Sequence, residues 1–308
     1  MMKILITGAS GFIGQHLIEM IDLDMYKVSL LTRDVNKKQR IYRSEINILQ
    51  GDLNDLPSLI LATKDIDCIV NIAAEVRNQS QLAATNIQGV KNLMDAIVIN
   101  GVKKIVHISS VGVVGKQFNI NHELVDENCL PTPQNQYEIT KLESEKIINH
   151  VANQNSVKTI ILRPTNVFGE FHPYNAVLSL INFIKKYKFI FTTRNARLNY
   201  VYVKDLCAVI LECIKNQDFE GDIINVGASE KLDDFVINLS NNLNIKLNVF
   251  YLPLIFIKFL ELFKFNKFRS VSNGIEYDSE KFKKIISRYN FDSIGNTIEF
   301  FIEKNMIK

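Results

Sequence analysis

The stretch ILITGASGFIGQHL, residues 4–17, sets Gly8, Gly11 and Gly14 three apart, between an apolar β run and a segment with helical apolar spacing. No other feature restricts the fold of this chain as strongly. Glycines there let the chain turn tightly and leave no Cβ in the way of an approaching phosphate. The amides around Gly11, Phe12, Ile13 and Gly14 then face an anion at the positive end of a helix. A glycine triplet carries little weight alone. At the strand–helix junction of a first βαβ unit, it is the arrangement that holds a dinucleotide pyrophosphate.

The rest of the first half supports that placement. MKILIT, YKVSLLT, INILQGD, DCIVNIA, KKIVHISS and VKTIILRP read as strands, and amphipathic segments separate them, the longest being QLAATNIQGVKNLMDAIVIN. Alternation of this kind implies right-handed βαβ units and an α/β fold with a Rossmann-type doubly wound parallel sheet. Beyond Pro164 the rhythm loosens. Helices near 174–187, 203–214 and 231–243, with short strands near 198–203 and 222–226, read as a smaller C-terminal α/β substrate lobe. No Gly/Ser- or Pro-rich connector precedes it, so the expected division is a dinucleotide-binding domain over 1–165 and a mainly substrate-binding lobe over 166–308, interleaved with the sheet.

Composition narrows the function classes. A net charge of +3 without a dense basic run gives no reason to expect a nucleic-acid partner. The first apolar run is broken by glycines and lacks a cleavage pattern, and no uncharged run reaches membrane-span length, so a soluble cytoplasmic protein without a transmembrane segment is expected. Cys68, Cys129, Cys207 and Cys213 have neither metal-ligand nor disulfide-framework spacing. VFYLPLIFIKFLELFKFNKF, residues 249–268, reads as a helix packed on the small lobe or covering a substrate cleft, its lysines snorkelling outward. An interfacial amphipathic helix is the alternative.

Two short stretches bear on chemistry. The second strand ends SLLTRD, with Thr32, Arg33 and Asp34 about where an adenosine ribose is met. A hydroxyl followed by a guanidinium suits a 2′-phosphate, which favours NADP; a shift of one residue would let Asp34 serve NAD. Tyr-x-x-x-Lys, one helical turn apart, occurs at Tyr137/Lys141, Tyr200/Lys204 and Tyr277/Lys281. Spacing does not choose among them.

Read in order, TGASGFIG, GDL (51–53), NIAAEV (71–76), TNIQGV (85–90), ISSVGVVG (108–115), YEITK (137–141), LRPTNVFGE (162–170), RLNYVYVKDL (197–206) and INVG (224–227) make the chain resemble the extended short-chain dehydrogenase/reductases, the NAD-dependent epimerase/dehydratase family of nucleotide-sugar enzymes. The resemblance implies that Asp52 binds the adenine amino group, that Leu53 flanks the ring, that Ala73 and Ala74 line the cofactor, and that Pro164 lies near the nicotinamide. It selects Ser110, Tyr137 and Lys141 as catalytic. Tyr137 exchanges a proton with the substrate oxygen, Lys141 holds the nicotinamide ribose and lowers the phenol pKa, and Ser110 orients the reacting oxygen. Asn166 and Arg197 match positions that touch a nucleoside-diphosphate sugar, Arg197 at the pyrophosphate.

Dehydratases of this family follow the fifth-strand residue with Asp-Glu; here Val111 and Gly112 follow Ser110, which argues against dehydration. The 4-epimerases usually carry an acidic residue where this chain has Thr32-Arg33. The expectation is therefore NADPH-dependent reduction of a nucleotide-linked 4-keto-6-deoxyhexose, or its acetamido analogue, for surface polysaccharide. A comparison of the tail FRSVSNGIEYDSEKFKKII with such reductases points the same way. A 4-epimerase with bound NAD is the runner-up, and a non-catalytic cofactor-binding regulator the third reading. Val114 stands where many members have tyrosine. Helices at 82–99 and 137–151 match the pair through which many members form homodimers.

Overall fold

The computed structural model describes residues 1–35, 43–115, 122–172, 176–216, 221–253 and 273–286. Along the chain run β1 (Met2–Thr7), α1 (Phe12–Met20), β2 (Tyr26–Thr32), β3 (Asn47–Gln50), α2 (Leu56–Ala62), β4 (Cys68–Asn71), α3 (Gly89–Asn100), β5 (Lys104–Ile108), β6 (Glu123–Val125) and α4 (Gln136–Asn155). There follow β7 (Lys158–Pro164), β8 (Asn166–Phe168), α5 (Ala176–Tyr187), β9 (Phe189–Thr192), β10 (Arg197–Tyr202), α6 (Val203–Lys215), β11 (Asp222–Val226), β12 (Ala228–Lys231), α7 (Leu232–Asn242), β13 (Asn248–Tyr251) and β14 (Ile275–Tyr277), before a last described helix, Glu280–Ile286. These elements form two compact units. Met1–Gly115, Leu130–Pro164 and Val203–Val226 make the first; Lys116–Cys129, Thr165–Tyr202 and Gly227–Lys308 make the second.

The first unit is a doubly wound parallel sheet, seven strands in the order β11-β7-β5-β4-β1-β2-β3. Strand order reverses between β1 and β4, so a crevice opens beyond their carboxyl ends, where such sheets bind ligands. Every residue of β4 and β5 is buried, the pattern of strands covered on both faces. Leu59, Leu93, Met94, Ile97 and Ile148 from α2, α3 and α4 pack with Ile69 and Ile105. Leu17 and Ile18 of α1 and Leu206, Val209 and Ile210 of α6 are equally buried.

Two segments differ from their expected places. Residues 222–226, read as part of the smaller lobe, form β11 at the edge of the main sheet, Ile223 beside Ile161 and Val226 beside Pro164. The helix over 203–214 likewise belongs to the first unit. The Ile-Ile-Asn-Val run of β11 is the near-continuous apolar pattern of a buried parallel strand, and its shortness concealed that. The long helix read over 81–100 begins as a π turn, Ala84–Gln88, before α3.

The second unit holds three small sheets, ordered β12-β10-β8, β13-β9 and β14-β6. Phe168, Ile181, Ile184, Ile190, Tyr200, Phe235 and Leu239 form its core. Asn248–Tyr251, the start of the segment read as a helix, is a strand parallel to β9; its β-branched and aromatic residues suit a ladder, and Phe189–Thr192 supplies the partner. Residues 254–268 of that segment lie outside the described residues. Among the described residues no helix is long and apolar enough to cross a membrane.

Candidate active site

Each glycine of the loop after β1 has a separate steric reason. Gly8 has φ +70°, and a Cβ there would stand 2.6 Å from the Ala73 nitrogen. A Cβ on Gly14 would come within 2.5 Å of the Gly8 carbonyl oxygen, and one on Gly11 within 3.1 Å of the same atom. The loop is thus folded onto itself and onto the end of β4. Gly11 is the N-cap of α1 and no side chain caps it, so the amides following it face outward at the positive end of the helix dipole. Phe12 stacks edge-on against His16, with ring centroids 5.1 Å apart. This cradle fits a dinucleotide pyrophosphate on its geometry.

The other residues expected to meet the cofactor lie at or just after the carboxyl ends of the sheet strands. Asp52 accepts from the Asn54 amide at 2.9 Å and keeps part of its carboxylate exposed. Leu53 is buried in the hydrophobic cluster, and its carbonyl accepts from Asn92 Nδ2 at 2.9 Å. Ala73 and Ala74 follow β4, partly buried, while Pro164 closes β7 beside Val226. Arg33 is exposed; Glu75, whose carboxylate accepts from the amides of Val76, Arg77 and Asn78, is held below the usual carboxylate range chiefly by those bonds and in part by Arg33.

Ser110, Tyr137 and Lys141 come from the end of β5 and the first turns of α4. Ser110 lies just beyond β5 and caps a short 3-10 turn, Val111–Val114, its Oγ accepting from the Gly112 amide at 3.1 Å. The hydroxyl proton is left to donate elsewhere. Gly115 ends that turn at φ +71°, where a Cβ would collide with the Thr132 carbonyl. Val114 is fully buried, and its carbonyl accepts from Thr132 Oγ1 at 2.8 Å. Asn135 starts α4: its side chain accepts from the Glu138 amide at 3.0 Å, and Glu138 returns a bond to the Gln134 amide at 2.7 Å. This reciprocal cap fixes where the helix begins, and so places Tyr137 and Lys141 one turn apart on it. The other two Tyr-x-x-x-Lys pairs straddle strand–helix junctions; Tyr200 is buried, with its hydroxyl 3.4 Å from Glu230.

Lys141 is buried and donates to the Ile108 carbonyl; its Nζ lies 3.4 Å from His107 Nε2. Burial lowers it from 10.5 to about 8, with Glu145 opposing that shift. Tyr137 moves the opposite way to the expectation: burial first, then the Glu138 carboxylate, raise its phenol from 10.0 to about 12. The cation one turn away does not reverse this; its bond runs to the Ile108 carbonyl. His107 is held neutral, well below 6.5, by burial and by Lys141.

The polar groups beneath Lys141 form a chain with a fixed direction. The Ala73 amide donates to Thr7 Oγ1 at 3.2 Å, and that hydroxyl donates to Asn71 Oδ1 at 2.6 Å. Asn71 Nδ2 then donates to His107 Nδ1 at 3.0 Å, which leaves the ring proton on Nε2, 3.2 Å from Ser144 Oγ. Ser144 in turn donates to the Lys141 carbonyl at 2.7 Å. The ring nitrogen facing the Lys141 ammonium is therefore a donor itself, in keeping with the part that Lys141 plays in holding His107 neutral. Sequence reasoning assigned no role to Thr7, Asn71, His107 or Ser144. It also passed over Asn86, in the π turn, which accepts from the Glu75 amide at 2.8 Å and donates to the Glu75 carbonyl at 2.9 Å and to Thr140 Oγ1 at 3.0 Å. TNIQGV and KIVHISS contain the signal as polar residues inside otherwise apolar runs.

Asn166 and Arg197, the two residues expected to meet a substrate, belong to the second unit. Asn166, in β8, donates to the Asn199 carbonyl at 2.8 Å. Arg197, at the start of β10, pairs with Glu276 at 2.8 Å, and Glu276 also meets His122 at 2.8 Å.

A seven-stranded doubly wound sheet with this glycine cradle and a Ser/Tyr/Lys set at the fifth strand defines an extended short-chain dehydrogenase/reductase. Residues 4–227 match the NAD dependent epimerase/dehydratase family, and the chain belongs to it. It is 31% identical over 262 residues, 82% of this chain and 75% of the other, to the N-acetyl-alpha-D-glucosaminyl-diphospho-ditrans,octacis-undecaprenol 4-epimerase of Escherichia coli O157:H7. Among solved structures, the UDP-glucuronic acid 4-epimerase of Bacillus cereus in complex with NAD superposes with a TM-score of 0.72 at 22% identity, covering 97% of this chain and 96% of that one. The UDP-glucose 4-epimerase of Thermotoga maritima gives 0.74 at 21% identity, covering 98% and 99%. At such identities these two speak for the fold alone.

Proposed function

We propose that this enzyme is a 4-epimerase of a sugar carried on a diphosphate, with NAD as its cofactor. The 31% identity to a 4-epimerase across 82% of the chain carries this reading, and the Ser110–Tyr137–Lys141 set supports it. The bound nicotinamide supplies a reversible hydride acceptor. Tyr137 would take the proton of the sugar hydroxyl in the oxidative direction and return it to the carbonyl oxygen in the reductive one. With its phenol raised to about 12 by burial and Glu138, Tyr137 reaches the base form only where positive charge beyond that of Lys141 faces it, which an oxidised nicotinamide would supply. Ser110 Oγ, already accepting from Gly112, has its proton available for the reacting oxygen.

The glycine cradle, Asp52, Leu53, Ala73, Ala74 and Pro164 hold the dinucleotide in this reading, while Asn166 and Arg197 meet the diphosphate-linked sugar. A nucleoside diphosphate is the first carrier to try, and the polyprenyl diphosphate acted on by the E. coli relative is the second. A homodimer through α3 and α4 accompanies the proposal, since Ile99 and Ile139 remain exposed on those helices.

The exposed guanidinium of Arg33 after Thr32 favours a second reading, NADPH-dependent reduction of a 4-keto-6-deoxy sugar. Denaturing the purified protein and weighing what it releases separates the two. An epimerase releases NAD near one per chain and interconverts sugars without consuming it. Release of NADP, or oxidation of NADPH in step with a ketosugar, overturns the epimerase reading.

A further inference from the structure

The β9–β13 ribbon of the second unit carries large apolar side chains on both faces, Asn248 being the polar residue of its outward one. Ile190 and Val249 turn inward to the core. On the outward face Phe191 and Phe250 are register partners, with ring centroids 5.4 Å apart, and Phe189 lies 5.4 Å from Phe191 and 6.4 Å from Phe250. Phe183 and Tyr187, at the end of α5, continue the row, with Phe183 5.9 Å and Tyr187 6.2 Å from Phe189. Where an outward face ordinarily carries polar residues, Phe183 is 41% exposed, Tyr187 48%, Phe191 38% and Phe250 49%. Continuous exposed aromatic surface of this kind marks a surface that something covers.

What borders the rings identifies the partner. Lys186, Lys188 and Arg194 are exposed around them. Lys186 Nζ stands 5.1 Å from the Tyr187 ring centre, and Arg194 Cζ 5.1 Å from that of Tyr251. The neighbouring Asp233 carboxylate accepts from Tyr251 Oη at 2.9 Å through Oδ2, and its other oxygen is buried. We propose that this aromatic face, rimmed by Lys186, Lys188 and Arg194, docks the protein on a membrane surface containing anionic lipid. Rings with no charge enter the headgroup boundary, tyrosines sit at its polar edge, and cations meet lipid phosphates. A second copy is a poor occupant, because a two-fold contact would set these same cations against their own images.

The test uses the full-length protein and phosphatidylcholine vesicles with and without phosphatidylglycerol, read by flotation at low and high salt. The protein is expected to float with the phosphatidylglycerol vesicles and to be released as salt rises. Lys186→Gln with Lys188→Gln should lower partitioning about thirtyfold, and Phe191→Ser with Phe250→Ser about tenfold or more, circular dichroism confirming that each variant is folded. Absence of flotation by the wild type overturns the proposal. So does flotation that survives the phenylalanine pair, which would assign binding to other residues such as 254–268. A dimer by light scattering that dissociates in the phenylalanine pair, without vesicle binding, also overturns it, in favour of a second copy. The assay needs neither cofactor nor sugar, so its failure leaves the epimerase reading standing, and failure of that reading leaves this one standing.

Discussion

The corner between β5 and α4 and the ribbon of β9 and β13 both place residues where packing alone would not. The first buries a lysine, an imidazole, an arginine and a glutamate; the second leaves a row of aromatic rings in solvent. In the buried corner each of these four side chains has a named partner. Lys141 reaches Ile108, His107 sits between Asn71 and Ser144, and Arg163 grips Glu145 through Nη2 at 2.7 Å and Nε at 3.0 Å. A satisfied polar network is tolerable in an interior because the cost of desolvation is met group by group. The ribbon has no such internal compensation. Buried polarity here is self-contained, whereas exposed apolarity refers to something outside the unit.

The sharpest break is at Tyr137. Tyr137→Phe removes one hydroxyl and should cut turnover by about 10³-fold while bound cofactor and thermal melting stay as in the wild type. A variant keeping wild-type turnover would leave the corner without its proton carrier.

Phenylalanine in the two environments gives the next contrast. Phe235, 1% exposed, should cost about 3–5 kcal/mol in a urea melt when replaced by alanine, and Phe250, 49% exposed, within about 0.5 kcal/mol. Equal losses would mean that the ribbon's rings are core. His107→Ala leaves Asn71 and Ser144 facing a void and should cost about 2–4 kcal/mol by the same measurement, while Ser144→Ala should cost about 1 kcal/mol.

The last contrast concerns pH. Lys141 titrates near 8 folded and near 10.5 unfolded, so between those values the unfolded chain binds more protons. Its contribution therefore makes stability rise with pH from about 8 to 10.5. Below 8 both states are protonated and the burial cost is complete. Urea midpoints across that window should climb less in Lys141→Met than in the wild type; parallel profiles would contradict the assignment.

Much of this was legible beforehand, for identifiable reasons. The glycine triplet announced its own steric needs, and the buried parallel strands stood out as unbroken apolar runs. Which segment of 166–308 interleaves with the main sheet was not legible, because the five residues of β11 carry no periodicity long enough to say which sheet they join. The segment beginning at Val249 looked helical by composition, and its first residues are a strand because Phe189–Thr192 is there to pair with, a tertiary fact. The raised phenol of Tyr137 depends on how far its ring is buried and on how near Glu138 comes. Spacing fixes the turn of the helix and leaves the rotamer open.

The directed chain from Ala73 to Lys141 has a spectroscopic consequence. Its orientation leaves His107 as a single neutral tautomer, with one ring proton pinned between Nε2 and Ser144 and sealed from water. Such a proton exchanges slowly and resonates well away from those of solvent-exposed imidazoles. It is a built-in nuclear reporter: one isolated line whose position registers whether the loop after β4, the fifth strand and the catalytic helix remain in register.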